Sequence, residues 1–112
     1  MNLKKLANHL QIEENQFLEL TDLFLKTTFT ELTNLESALE DRHSATAERM
    51  AHSIKGAAGI LGFMEIHEVA KKIESTIREN HLTDIHGTIL MIREKLDLVA
   101  DALQREKRNA KA

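Results

Sequence analysis

The sequence predicts an all-α protein of a single domain, and three observations favour that class. The chain has 112 residues, which is the usual size of one domain. It contains no proline, tryptophan, tyrosine or cysteine and only 4 glycines, so it has fewer turn and aromatic residues than a β-sandwich or β-barrel of this length normally needs. Good helix formers (Leu, Glu, Lys and Ala) dominate instead, and apolar residues recur at helical spacing.

The first two predicted helices differ greatly in length. The first covers about residues 3–10 and is followed by a break near 11–13. The second covers about 13–41, which corresponds to roughly 40 Å of helix. Its leucines recur every seven residues, and this spacing predicts an apolar seam on one side of a bundle helix. The seam consists of Leu18, Leu25, Leu32 and Leu39, with Phe24, Thr28 and Leu35 between them.

The third predicted helix spans about 45–61, after a turn at 41–44 in which Ser44 is the expected N-cap. Gly62 stands where a helix commonly ends in a left-handed residue. An apolar stripe at helical spacing predicts the side of this helix that faces the core. The stripe consists of Ala47, Met50, Ile54, Ala57 and Leu61.

The fourth and fifth helices are predicted at about 64–80 and 84–107, with a break at 80–82 and Thr83 as the cap between them. The residues expected in the core from the fourth helix are Ile66, Val69, Ala70, Ile73 and Ile77. Those expected from the fifth are Ile85, Ile89, Ile92, Leu96, Val99 and Leu103.

Short connections favour antiparallel neighbours, so the predicted architecture is an antiparallel up-down four-helix bundle over 13–107. The short helix at 1–10 is expected to cover one end of it. Residues 108–112 are expected to be a frayed tail, and 1–112 to form one domain.

Charge and composition exclude several classes of function. A net charge of −3 argues against a nucleic-acid binder, which usually shows a strong basic excess. No stretch approaches the ~20 apolar residues of a membrane span, and we see no signal peptide. The absence of cysteine excludes disulfides and thiolate metal sites and favours a reducing compartment, so we expect a cytoplasmic protein. No long apolar surface seam is left over, which favours a monomer.

The most informative stretch is 52–59, which reads HSIKGAAG. Two glycines inside a helix cost about 1 kcal/mol each relative to alanine. On a helical wheel of about 100° per residue, His52 falls opposite the apolar stripe. Gly56 and Gly59 lie one and two turns further on that outer face, and Lys55 lies at its edge. The sequence therefore predicts an exposed imidazole with open space around it. A solvated surface histidine on a closely packed helix is the plainer alternative, but it does not account for the lysine and glycines together.

These residues fit phosphoryl chemistry. A neutral imidazole is a good nucleophile near pH 7. Lys55 is on the next turn and can approach a phosphate on His52 and offset its charge. Gly56 removes a side chain that would block an incoming active site. The chain offers no nucleotide cradle and no general base for ATP, so we expect a phosphotransfer intermediate rather than an ATP-dependent kinase.

Residues 51–62 resemble the signature of histidine-containing phosphotransfer (HPt) domains. That pattern is a His, a Lys and a Gly three and four positions later, small residues, and a Gly ten positions after the His, and all are present here. The resemblance covers essentially the whole chain and implies a four-helix bundle with an extra short N-terminal helix. It implies that His52 is the phosphoacceptor, Lys55 the phosphate partner and Gly56 the access residue.

The resemblance also implies a partner for the imidazole. In many HPt domains a Gln or Glu 22 positions after the histidine hydrogen-bonds the ring, and that position is Glu74 here. A carboxylate that accepts from Nδ1–H would leave Nε2 free to attack. Equally, Glu74 is a candidate for a solvated charge or for a helical pair with Lys71 or Arg78.

A phosphorelay role follows from the resemblance. His52 is expected to accept a phosphoryl group from a receiver-domain aspartate, or from a sensor kinase, and to pass it to a response-regulator aspartate. This chain is expected to bind no cofactor, and Mg²⁺ is expected on the partner receiver domain. The docking surface is expected on the exposed face of the third helix and the neighbouring turns of the second and fourth. Its expected residues are Gly56, Gly59, Glu48 and His67.

Several alternative functions fit the sequence less well or stay open. A carboxylate-bridged di-metal bundle needs two Glu-x-x-His pairs, and only Glu40 and His43 have that spacing, at a helix end. A zinc site built from His52 and Glu48 has too few ligands. A helical adaptor that docks partners without phosphorylation, or a degenerate HPt-like domain, would keep the fold, but the complete motif argues against degeneration. A chemotaxis-kinase-type phosphoacceptor domain also stays open, as does a piece of a larger kinase.

Overall fold

The computed structural model is entirely helical within residues 1–111, so the all-α class is confirmed. The structure describes residues 1–111, with the side chains of 1–109. The five helices are α1 (Leu3–His9), α2 (Glu14–Glu40), α3 (Ser44–Leu61), α4 (Met64–Arg78) and α5 (Ile85–Lys111). None of the helices in this part of the chain has the length and apolar content needed to span a bilayer.

The four longer helices pack in a ring. Each helix from α2 to α5 contacts the next one, and α2 also contacts α5, while α1 contacts α2 and α5. Two ion pairs join α2 to α5: Asp22 meets Lys107, and Glu36 meets Arg93. Because the lower-numbered residue of α2 meets the higher-numbered residue of α5, these two helices run in opposite directions.

The core consists of the apolar stripes of these helices. Every residue that the sequence predicts in the core from α4 and α5 is buried. Three phenylalanine rings meet in the interior, with Phe63 5.2 Å from Phe24 and 6.1 Å from Phe17 between ring centroids. In α2 the middle of the leucine seam is buried, whereas Leu18 and Leu39 at its ends are only partly buried.

The buried stripe of α3 is rotated relative to the predicted one. Ala51 and Ala58 are buried, whereas Met50 and Ala57, which were expected in the core, are only partly buried. The rotation turns α3 toward α4, with which it forms the most extensive helix contact of the protein. Small alanine side chains allow the two helix backbones to approach closely.

Two predicted N-caps are wrong, although both helices begin within one residue of the predicted start. Ser44 is the first residue of α3 rather than its N-cap, because the helical ladder begins with the bond from Ala47 N–H to His43 O. Helix α5 begins at Ile85, two residues after the expected cap Thr83.

Helix α5 extends past its predicted end at about 107. Residues 108–111 continue α5, because this segment contains neither proline nor glycine to stop the helix. The fraying of 108–112 in solution stays a prediction. Ala112 lies outside the described residues.

Gly62 ends α3 as predicted, in the left-handed conformation with φ 81° and ψ 12°. Its N–H donates to Gly59 O at 3.2 Å, and the N–H of Phe63 donates to Ala58 O at 2.9 Å. This pair of bonds satisfies carbonyls at the helix end. A Cβ at Gly62 would lie only 2.9 Å from Leu6 Cδ1, so the turn and the packing of α1 both require glycine.

We expect Gly62→Ala to lower the free energy of unfolding by about 1–2 kcal/mol, because an L-residue is strained in the left-handed region. Gly56→Ala is the matched control: a Cβ there meets nothing within 4 Å. This variant should raise the free energy of unfolding by up to ~1 kcal/mol through helix propensity. Urea unfolding of both variants and the wild type measures the two changes. A Gly62→Ala midpoint at or above that of the wild type would contradict this account of the turn.

Candidate functional site

His52 lies on the exposed face of α3, with 69% of its side chain accessible to solvent. The residues that fix this orientation are the buried ones on the opposite side of the helix, such as Ile54 and Ala58. Gly56 follows one turn after His52, and a Cβ there would meet nothing within 4 Å. The imidazole therefore stands beside open space, as the sequence predicts.

Glu74 of α4 is a buried carboxylate, only 4% exposed. Its Oε2 lies 2.7 Å from His52 Nδ1, and its Oε1 lies 2.6 Å from Lys55 Nζ. Arg78, one turn further along α4, places Nη2 3.4 Å from Oε2. One buried carboxylate thus contacts three nitrogen-bearing side chains, two of them from α3. Of the alternatives that the sequence leaves open for Glu74, contact with the imidazole and a helical pair with Arg78 occur together, whereas the solvated charge is wrong because the carboxylate is buried.

The charge state of Glu74 follows from these contacts. Burial by itself raises the pKa of this carboxyl group, but the hydrogen bonds and charges of Lys55 and His52 outweigh burial and hold the pKa below its ordinary value of 4.5. Glu74 is therefore ionised at neutral pH and can only accept hydrogen bonds.

The ionised carboxylate selects the tautomer of His52. A neutral His52 must donate its Nδ1–H to Glu74 Oε2, which leaves the lone pair of Nε2 unprotonated. The hydrogen bonds found among residues 1–109 include none to His52 Nε2. Nε2 is thus the ring nitrogen that carries a lone pair and has no hydrogen-bond partner among the described residues.

Gly59 and His67 form a contact between α3 and α4. The Nδ1–H of His67 donates to the backbone carbonyl of Lys55 at 2.9 Å. A Cβ at Gly59 would lie 3.1 Å from His67 Nδ1, so glycine gives the imidazole room against α3. The structure thus gives both residues a packing contact, and their place in a docking surface stays a prediction.

Glu48 and Arg78 extend the site along the same two helices. Arg78 Nε donates to Glu48 Oε1 at 2.7 Å, so Arg78 contacts Glu48 and Glu74 at once. The sequence places Glu48 in the docking surface, and it gives Arg78 only a helical pair with Glu74. The contact between Glu48 and Arg78 depends on the register of α3 against α4, which no local pattern reveals.

An apolar groove runs between α2 and α3, on the side of His52 away from α4. Its exposed edges are Leu23, at 62%, and Ile60, at 79%. Ile60 lies two turns after His52 on α3. The sequence does not predict this groove, because its residues come from two helices and it exists only in the observed packing of α2 against α3. The residues that line it are Leu20, Leu23, Phe24, Thr27, Thr28, Ala57, Ile60 and Leu61.

His9, His43, His81 and His86 are exposed near helix ends, as the sequence predicts. Within the part of the chain that the structure describes, no group of three or more His, Asp or Glu side chains is arranged to hold a metal ion.

The fold is similar to that in the crystal structure of histidine-containing phosphotransfer protein B (HptB) from Pseudomonas aeruginosa PAO1. The two share a TM-score of 0.82 and 22% sequence identity, over 93% of this chain and 90% of that chain. No curated protein matches the sequence. The family model of the Hpt domain matches residues 19–108, which carry His52, Lys55 and Glu74. Because that match spans most of the sequence, the chain belongs to the Hpt domain family.

Proposed function

We propose that this chain is a phosphorelay intermediate in which His52 carries the phosphoryl group. It accepts the group from the aspartyl phosphate of a receiver domain, or from a sensor kinase, and passes it to an aspartate of a response regulator. The observation that carries the proposal is the contact of His52 Nδ1 with the buried Glu74 carboxylate, 2.7 Å away, on an otherwise exposed ring.

In the proposed transfer, the lone pair of His52 Nε2 attacks the phosphorus of the acyl phosphate. A P–N bond forms while the P–O bond to the aspartyl oxygen breaks, and the donor aspartate leaves as a carboxylate. The imidazole ring gains positive charge in this step, and Glu74 stabilises that charge through the Nδ1–H bond. Transfer to a second receiver is the same step in reverse. The receiver domain supplies the Mg²⁺ that neutralises the transferred group.

Lys55 is proposed to stabilise the phosphoryl group on His52. In the resting structure its Nζ is held by Glu74 Oε1 at 2.6 Å, one turn along α3 from the imidazole. Its flexible stem lets the ammonium move a few ångströms toward a new negative charge. Glu74 therefore keeps Lys55 beside the position where it is needed.

The receiver is proposed to dock over Gly56 and the apolar groove. The missing side chain at Gly56 lets the partner's aspartate approach Nε2, and the exposed Leu23 and Ile60 supply apolar contact area beside it. Glu48, Gly59 and His67 belong to the rim of this proposed surface. Small, transient contacts of this kind are common in signalling.

For the molecule as a whole, we propose a single domain over 1–112, built as an up-down antiparallel four-helix bundle with α1 covering one end. The opposite directions of α2 and α5 support this arrangement. The protein is proposed to act as a cytoplasmic monomer, to bind no cofactor and to have no kinase activity of its own.

His52→Gln should abolish phosphorylation, because glutamine has no nucleophilic nitrogen. Wild type and variant are incubated with a phosphorylated receiver domain, and acid-labile, base-stable phosphate is measured on each. His86→Gln, which alters an exposed histidine of α5, should label like the wild type. If no protein is labelled by any available receiver or kinase, the chain is instead a non-phosphorylated adaptor, for which the apolar groove would be the binding surface.

Gly56→Gln should slow transfer from a receiver roughly tenfold or more while the fold is retained, because its side chain fills the space in which the partner docks. Gly87→Gln is the control: Gly87 is also open, with nothing within 4 Å of a Cβ, but it lies on α5. Stopped-flow or quench-flow transfer rates compare the two. A normal rate for Gly56→Gln would contradict the access role of this glycine.

Glu74→Ala should slow transfer about tenfold to a hundredfold, because a neutral His52 then populates the tautomer with a protonated Nε2. Glu68→Ala removes an exposed carboxylate from the same helix and should leave the rate unchanged. Transfer rates from one phosphorylated receiver, with helicity checked by circular dichroism, provide the comparison. An unchanged rate in a folded Glu74→Ala protein would show that Glu74 has only a structural role and does not affect the transfer.

A further inference from the structure

Arg78 joins the outer and inner parts of the site. Its Nε donates to Glu48 Oε1 at 2.7 Å, and its Nη2 lies 3.4 Å from Glu74 Oε2. That Glu74 oxygen is the one that accepts from His52 Nδ1 at 2.7 Å. The four side chains therefore form a continuous chain of contacts in the order Glu48, Arg78, Glu74, His52.

The guanidinium group suits this position because it is planar and its donors point in fixed directions. When Glu48 holds Nε, the direction of Nη2 toward Glu74 is fixed as well. Glu48 lies one turn before His52 on α3. Arg78 is thus anchored to the same helix as the imidazole that Glu74 contacts.

The charges around Glu74 change when His52 is phosphorylated. A phosphoryl group brings about two negative charges, and these attract Lys55 away from Glu74 Oε1. A buried carboxylate that loses a cationic partner takes up a proton more readily and then no longer holds the Nδ1–H bond as a pure acceptor. A second cation that stays in place prevents this loss.

We infer that Arg78 is a positioning residue for the transfer: anchored by Glu48, it holds the Glu74 carboxylate on His52 Nδ1 and stays as its cationic partner when Lys55 turns to the phosphoryl group. This inference rests on the proposed function. The Arg78 side chain is 61% exposed. Most ion pairs of such exposed side chains contribute only ~0–1 kcal/mol to stability, so the inference assigns Arg78 a role in the transfer rather than in stability.

Two alternative roles for Arg78 lead to different experimental results. As a plain surface ion pair, it would affect neither the imidazole nor the transfer. As a docking residue for an acidic receiver surface, it would affect transfer from a receiver but not phosphorylation by a small reagent. Phosphoramidate is such a reagent: His52 Nε2 forms the P–N bond, the P–N bond of the reagent breaks, and ammonia leaves.

The first experiment measures the ring ¹⁵N chemical shifts of His52 in the unphosphorylated protein, at a pH where the ring is neutral. The wild type should show the tautomer with the proton on Nδ1. Arg78→Ala should lower the fraction of that tautomer, and Arg78→Ala combined with Lys55→Ala should lower it by more than the sum of the two single changes. Arg78→Lys should restore most of it. An unchanged tautomer in the double variant would overturn the inference.

The second experiment measures the rate at which phosphoramidate labels the same proteins. Arg78→Ala should be labelled roughly tenfold more slowly than the wild type. Glu48→Gln should slow labelling when Arg78 is present. It should have no further effect in the Arg78→Ala variant. Arg105→Ala is the control, because it removes an exposed arginine of α5, a helix that does not contact α3. Normal labelling of Arg78→Ala, with slow transfer only from receivers, would make Arg78 a docking residue and overturn the inference.

These measurements separate the inference from the proposed function. Neither the ring shifts nor the phosphoramidate rate requires a receiver domain. If the wild type takes phosphate from phosphoramidate but from no receiver or kinase, the proposed function fails, and the ring shifts still decide the role of Arg78.

Discussion

The site depends on one buried carboxylate. Removing the charge of Glu74 from water is unfavourable unless the protein supplies partners for it, and the partners are His52 and Lys55 from α3 and Arg78 from α4 itself. The two contacts from α3 depend on the register of α3 against α4. The alanines on the buried face of α3 and the glycine that accommodates His67 allow the two helices to approach closely enough for that register. The packing of α3 against α4 therefore also determines which tautomer the His52 imidazole adopts.

The arrangement distinguishes the two nitrogens of the His52 ring. Nδ1 contacts Glu74 of α4, whereas Nε2 has no hydrogen bond among the described residues, and the space for a Cβ at Gly56, one turn away, is open. The pKa of Glu74 is held below its ordinary value, so the carboxylate is ionised at neutral pH. It can then only accept the hydrogen bond from Nδ1–H. Glycine at position 56 costs helix stability, and the proposed function accounts for that cost by the access it would give a partner. The apolar groove between α2 and α3 is the contact area that the proposed function assigns to the partner.

The sequence predicts much of this fold because α4 and α5 have strong apolar periodicity, and every core residue expected there is buried. The sequence predicts the buried face of α3 less accurately. In a helix rich in alanine, neighbouring residues such as Ala57, which is partly buried, and Ala58, which is buried, have the same hydrophobicity. The local motif is enough to single out His52, Lys55 and Gly56. The contact of Glu74 is anticipated only through the family resemblance, and the Glu48–Arg78 pair and the apolar groove are not anticipated. All three join residues of different helices, so they depend on packing that local spacing does not encode.

The most direct test of this account identifies the nitrogen that carries phosphorus. Protein labelled with ¹⁵N in its 6 histidines is phosphorylated, and the ³¹P–¹⁵N coupling is read together with the proton attached to the other ring nitrogen. The account predicts one phosphorylated residue, His52, with phosphorus on Nε2 and a proton on Nδ1. Phosphorus on Nδ1 of His52, or on a different histidine, would contradict the claim that Glu74 holds one nitrogen and leaves the other to react.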